Sequence, residues 1–98
     1  MRLFTKATLR NFWRIYPDSK SSLEFWYETV EKTTFKTPND VIMHFNNADI
    51  VGNNRIVFNI TQNKYRLIVK FEYHRHLAFV RFIGTHKEYN KITDIQNI

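Results

Sequence analysis

The large apolar side chains of this chain change their spacing once, at Arg55, and that change divides whatever it folds into. Before Arg55 they recur every third or fourth position, the period of a half-buried helix; from Arg55 onward they recur every second, the period of a strand. Leu9, Phe12, Trp13 and Tyr16 define a first helix, with Thr5 placed to cap it and Pro17 to stop it. Ser21 followed three residues later by Glu24 has the form of a capping box and heads a second helix through Leu23, Trp26, Tyr27 and Val30. Thr37 before Pro38, with Asp40 in the first turn, opens a short third helix through Val41, Ile42 and Phe45. Asn46 to Asn54 then reads as a polar connection.

Three antiparallel strands are expected after it, Arg55 to Ile60, Tyr65 to Tyr73 and His76 to Gly84, separated by Thr61–Lys64 and by His74–Arg75. Pairing Ile60 with Tyr65 and Tyr73 with His76 sends Ile56, Phe58, Ile60, Leu67, Val69, Phe71, Ala78, Val80 and Phe82 to one face. That face is wholly apolar and must lie against the helices, because a slip of one residue would bury an arginine row instead. The opposite face receives Arg55, Asn59, Arg66, Lys70 and Arg81 among Val57, Ile68, Phe79 and Ile83, with Glu72 its one acid. Thr85 and Glu88 form a second capping box, which announces a last short helix holding Tyr89 and Ile92 and brings His86 out at the sheet edge. The expected fold class is α+β: one domain over residues 1–98, its N-terminal helices packed on one face of an antiparallel sheet, with a short C-terminal helix.

Charge follows the same division. The chain carries a formal +6, but residues 1–54 hold seven Lys and Arg against six Asp and Glu, whereas residues 55–98 hold eight against three. A basic field over one part of a 98-residue domain is the electrostatic footprint of a polyanion binder. A domain this small has room for one core and one functional face, which excludes a dinucleotide-binding fold. Without cysteine there is no disulfide framework and no thiolate nucleophile or ligand, in keeping with a reducing, cytoplasmic setting. No apolar run is long enough for a membrane span, and Arg2, Lys6 and Arg10 interrupt the N-terminal segment where a signal peptide would need an apolar stretch. His74 and His76 lack a third ligand within reach in sequence, so no metal is expected. His44 reads as a partly buried helix residue. Trp13, Phe25, Trp26 and Tyr27 have the spacing of core or partner-docking residues.

The chemistry this arrangement suits is cleavage of RNA without a cofactor. Such a reaction needs a base for the 2′-hydroxyl proton, cations for the charge that builds on the phosphoryl oxygens, and an acid for the leaving 5′-oxygen. Arg66 and Arg81 on adjacent strands are candidates to clamp one phosphate, because a guanidinium is a permanently charged fork. His86 is the candidate for proton transfer, since imidazole titrates near neutrality. Arg55, Lys64 and Lys70 would track the strand on either side, and Tyr89 would stack a base or share proton transfer.

Several stretches carry a closer resemblance. Ala48 to Ile60, Asn63-Lys64-Tyr65-Arg66-Leu67 and Arg81-Phe82-Ile83-Gly84-Thr85-His86-Lys87-Glu88-Tyr89 resemble the HigB toxin family of type II toxin–antitoxin systems. So do Phe12-Trp13 ahead of Pro17-Asp18, Trp26-Tyr27 and Thr37-Pro38-Asn39-Asp40-Val41, so the resemblance runs along nearly the whole chain. It implies a RelE-like fold and cleavage of mRNA, generally on the translating ribosome. It also implies neutralisation by a HigA-type helix-turn-helix antitoxin, with operator DNA bound only through the toxin–antitoxin complex. Arg66 matches the strand that brings a phosphate-binding Arg to the RelE-like site, and His86 falls where relatives place a basic catalytic side chain. Arg55, Lys64 and Arg81 match basic positions of the HigB pattern. One position departs: where RelE has a C-terminal catalytic tyrosine, Ile92 stands nearest and Tyr89 is offset by three. Two other activities fit a basic domain of this size, a gyrase poison of the ParE kind and a non-catalytic RNA-binding module.

Overall fold

A computed structural model describes all 98 residues. The elements run β1 (Arg2–Phe4), α1 (Lys6–Ile15), α2 (Lys20–Lys32), α3 (Pro38–His44), β2 (Ala48–Gly52), β3 (Arg55–Ile60), β4 (Tyr65–Glu72), β5 (Leu77–Thr85) and α4 (His86–Tyr89). The fold is α+β, with five strands in the order β1-β5-β4-β3-β2. All neighbours are antiparallel except β1, which pairs with β5 in parallel, Leu3 opposite Ala78. No helix is long and apolar enough to cross a membrane.

The helices bury the faces their periodicity predicts. Leu9 and Phe12 of α1 and Leu23, Trp26 and Val30 of α2 enter a core shared with Ile56, Phe58, Ile60, Leu67, Val69, Phe71 and Ala78 of the sheet. Trp26 meets Phe58 edge-on at 5.3 Å, and Phe45 after α3 meets the same ring at 5.2 Å. Thr37 caps α3 as expected, its hydroxyl accepting from the Asp40 amide at 3.2 Å while Asp40 accepts in return from Thr37.

The caps expected for α1 and α2 are not formed. Thr5 has left-handed backbone (φ 65°) and donates its hydroxyl to Phe4 O instead of capping α1, because the chain must reverse sharply as it leaves β1. The helical backbone of α2 already begins at Lys20, fed by a 3₁₀ turn at Pro17–Ser19, so Ser21 lies inside the first turn and forms no box. His44 is exposed and rests edge-on against Phe35.

Two strands escaped the periodicity. β1 is only three residues long, and its amino terminus is tied to α2 by Met1 N, which donates to Val30 O at 2.9 Å and Thr33 O at 2.7 Å. Strand β2 occupies the stretch read as a polar connection and turns into β3 through Asn53 and Asn54, both at positive φ, the left-handed pair a two-residue hairpin requires. The sheet is therefore mixed and five-stranded, not a three-stranded antiparallel one.

The first hairpin has the expected register, Ile60 opposite Tyr65. The second keeps it as far as Val69 opposite Val80, then shifts by one so that Ile68 faces Phe82 and Leu67 faces Ile83. Arg81 is the extra residue of this bulge. In consequence Ile83 packs against the core and Phe82 belongs to the outer face, the reverse of strict alternation. Strand β5 then runs straight into α4, whose capping box at Thr85 and Glu88 is present as expected.

Gly84 makes the outward placement of Phe82 possible. A Cβ there would stand 2.6 Å from Phe82 Cζ and 3.1 Å from Glu88 Oε1. Gly84→Ala should cost about 1–3 kcal/mol by overpacking, read as a lower midpoint in urea. The penalty should shrink in a Phe82→Ala background; equal penalties in the two backgrounds would refute the close ring contact.

Candidate functional site

Four of the residues singled out by the sequence meet at one corner of the sheet. The β3–β4 turn delivers Lys64 and Arg66, and β5 with α4 delivers His86 and Tyr89. The ladder joins them: Arg66 lies opposite Gly84, Tyr65 opposite Thr85, and the His86 amide donates to Lys64 O at 3.1 Å. The turn itself is built from Thr61, Gln62 and Asn63 in three successive left-handed conformations. It is closed by the Lys64 amide donating to Thr61 O.

Arg66 is half-buried and held from two sides. Its Nη1 donates to Asn63 O at 2.8 Å and to Tyr65 O at 3.2 Å, and its Cζ stands 5.7 Å from the centre of the Tyr89 ring. Backbone carbonyls and a π face thus orient the guanidinium without neutralising it. Nε and Nη2 are left to receive an anion. His86 is exposed as the first residue of α4.

Asp18, which the sequence offered only as part of the family resemblance and with no site role, braces the corner from the helical side. Its carboxylate accepts from Tyr65 Oη at 2.6 Å and from Lys64 Nζ at 3.0 Å. The hydrogen bond from Tyr65, followed by that from Lys64, holds the Asp18 carboxyl below its ordinary 3.8. In turn the Asp18 bond, with desolvation behind it, pushes the Tyr65 phenol from 10.0 up to about 12. Lys64 is therefore an engaged cation. Asp18 sits in the turn between α1 and α2, so this contact links the helical layer to the β3–β4 turn and the start of β4, just before Arg66.

The remaining candidates stand elsewhere. Lys70 lies four residues along β4 from Arg66, about 13 Å at strand rise, and is 3.9 Å from Glu72. Arg81, exposed at the bulge, is three residues along β5 from the partner of Arg66. Arg55 departs most from expectation. It is 8% exposed, and its guanidinium is engaged with the chain's last residue, Nη2 and Nε donating to Ile98 O at 2.7 and 3.2 Å. The outer face is thus no open cationic platform. Val57 and Ile68 on it are 2% and 0% exposed. Helices α1, α2 and α3 lie on the opposite face, and on the sheet's β2 edge the C-terminal 3₁₀ turn at Ile95–Asn97 packs against β2. No group of three or more His, Asp or Glu side chains converges as a metal site.

Helices packed on one face of a small mixed sheet, with a short C-terminal helix, are consistent with a RelE-like fold. The comparisons narrow this further. The HigB toxin family, described as the RelE-like toxic component of a toxin–antitoxin system, matches residues 19–92, and the chain belongs to that family. It is 30% identical over 95 residues to the mRNA interferase HigB of Escherichia coli O6:H1 (strain CFT073), covering 95% of this chain and 92% of that protein. It is 28% identical over 97 residues to the mRNA interferase toxin HigB of Escherichia coli K12 and to the mRNA interferase HigB of Shigella flexneri, covering 97% of this chain and 93% of each relative.

The Asp18–Tyr65 pair gives the corner two pH limits. The Asp18 carboxyl is depressed on folding, so the stability it supplies is present above its ordinary 3.8 and lost as pH falls through the folded value. The Tyr65 phenol is raised, so its contribution is complete below 10.0 and lost as pH climbs toward about 12. Tyr65→Phe should be less stable than the parent at neutral pH, and the difference should narrow above pH 10.0. A gap in melting temperature that stays constant to about pH 12 would rule the bond out as the cause.

Proposed function

We propose that this chain is an mRNA interferase, a metal-independent endoribonuclease that cuts mRNA on the translating ribosome. The observation that carries the reading is the state of Arg66. Its guanidinium is oriented by Asn63 O, Tyr65 O and the Tyr89 ring and keeps two donating nitrogens free, and its backbone pairs with Gly84, two residues before the histidine that begins α4. The naming of the HigB relatives as mRNA interferases supports the same substrate.

In the proposed reaction a base removes the proton of the 2′-hydroxyl, the 2′-oxygen bonds to phosphorus, and the bond from phosphorus to the 5′-oxygen breaks as that oxygen takes a proton. The products are a 2′,3′-cyclic phosphate and a free 5′-hydroxyl, with no redox change and no co-reactant. Arg66 neutralises the charge that builds on the equatorial oxygens. His86 transfers a proton at one end of the displacement, and Tyr89 fixes the Arg66 fork and offers a face to a base. Arg81, exposed and farther along β5, contacts phosphate at the next position. Lys64 and Lys70, paired with Asp18 and Glu72, add less to that field than Arg66 and Arg81 do. A HigA-type helix-turn-helix antitoxin holds the toxin inactive in the cytoplasm, and operator DNA is bound through that complex.

Added to translating ribosomes, the purified protein should cleave mRNA and leave cyclic phosphate ends. Arg66→Ala should slow single-turnover cleavage about a hundredfold or more, and Arg66→Lys should recover only part of that because it keeps the charge and loses the fork. Full activity in an Arg66→Ala, His86→Ala double variant that melts like the parent would overturn the site. Intact mRNA together with DNA damage signalling would point to gyrase instead.

A further inference from the structure

We propose that Arg55 is a positioning residue for this corner, acting through the C-terminal segment and not on RNA; the proposal rests on the interferase reading above. Its starting point is a mismatch of size. Helix α4 has four residues, far too few to hold itself together, yet it must present His86 and Tyr89 to Arg66. Its front end is fixed by the Thr85–Glu88 box and by the bond from the His86 amide to Lys64 O. Its back end runs on through two further turns, Lys91 N to Glu88 O and Ile92 N to Tyr89 O, into residues 93–98. Whatever fixes that segment fixes the pitch of Tyr89.

The fixing is done at the far edge of the sheet. Arg55 holds Ile98 O with two nitrogens and uses Nη1 on Asn53 O at 2.9 Å, which makes one side chain a bridge between the β2–β3 turn and the strap. Asn53 adds an independent anchor, its Nδ2 donating to Gln96 O at 2.9 Å. Gly52, at φ +93°, lets Gln96 approach to where a Cβ would be 3.3 Å from its Nε2. The same face carries an apolar row that the β5 bulge completes, since Val57 faces Ile68 and Ile68 faces Phe82 across three strands.

The cost of loosening this arrangement falls on Tyr89, because its ring shares the orientation of Arg66 with only two carbonyls. A phosphate-binding Arg55 would need its guanidinium in solvent, and 8% exposure with every nitrogen engaged does not provide that.

Two variants test the inference: Arg55→Lys, which keeps the charge but cannot fork onto Ile98 O, and Asn53→Ala, which removes the second anchor without touching a buried charge. Each is compared with the parent in amide exchange over residues 90–98, in trypsin cleavage after Lys91, and in single-turnover mRNA cleavage at saturating ribosomes. Both should exchange and be cut at least about tenfold faster in the strap and cleave mRNA correspondingly more slowly. The half-saturating ribosome concentration and its salt dependence should be unchanged. A weaker, less salt-dependent interaction with strap protection intact would make Arg55 a phosphate contact and overturn the proposal. So would a loosened strap with cleavage at the parental rate, which would leave the interferase reading standing. A parent protein that cleaves no mRNA would instead remove that reading, while the exchange data would still report whether Arg55 holds the strap.

Discussion

The central strand β4 is buried from both sides, and the architecture of the chain answers that constraint. Leu67, Val69 and Phe71 point to the helices and Ile68 points away from them, and all four are 0% exposed. A strand of this kind is stable only with a cover on each face. The first cover uses three amphipathic helices and about half the chain. On the other side the nine residues after α4 have no regular element beyond a 3₁₀ turn at Ile95–Asn97, which packs against β2, and so must be held by specific bonds. Arg55 and Asn53 provide them.

The bulge at Arg81 reconciles two demands on β5. Up to Val80 the strand keeps the register set by the tight turn at Tyr73–Arg75; beyond it Phe82 is needed on the outer face beside Ile68, and Ile83 in the core. Inserting one residue meets both and directs the end of the strand into α4. Gly84 then lets the Phe82 ring fold along the strand where any Cβ would obstruct it. Site geometry and core packing are therefore set by the same residues.

Much of this was legible in the sequence because period and polarity agreed. The buried faces of α1 and α2, the cap of α3, the β3–β4 register and the box at Thr85 all follow from side chains whose burial is decided locally. What was not legible depended on partners distant in sequence. β1 is three residues whose pairing exists only because β5 offers an edge. β2 reads as polar because it is itself an edge strand, with Asp49 and Ile50 exposed. The bulge cannot be seen in β5, whose apolar residues satisfy strict alternation equally well. Asp18 has no periodic signal, since it works by reaching 47 positions along the chain to Tyr65. Arg55 had the right residue type and the right face, but alternation says nothing about a segment that returns to bond with its side chain.

These contacts change what the net charge means. Eight cations in the second half looked like a field spread over one face. Lys64 is engaged by Asp18, Arg75 and more loosely Lys70 by Glu72, and Arg55 by the strap, so half of them are occupied within the molecule. Arg66, Arg81, Lys87 and Lys91 carry no ion pair, and they are confined to the end of β4, the second half of β5, and α4 with the residues that follow it. A polyanion is drawn by that local excess more than by the total, because screening limits an exposed charge to about a Debye length, roughly 8–10 Å at ordinary salt. Engaging the other four sharpens the field around Arg66 and His86, and one of those contacts, Lys64 with Asp18, is made at the corner itself.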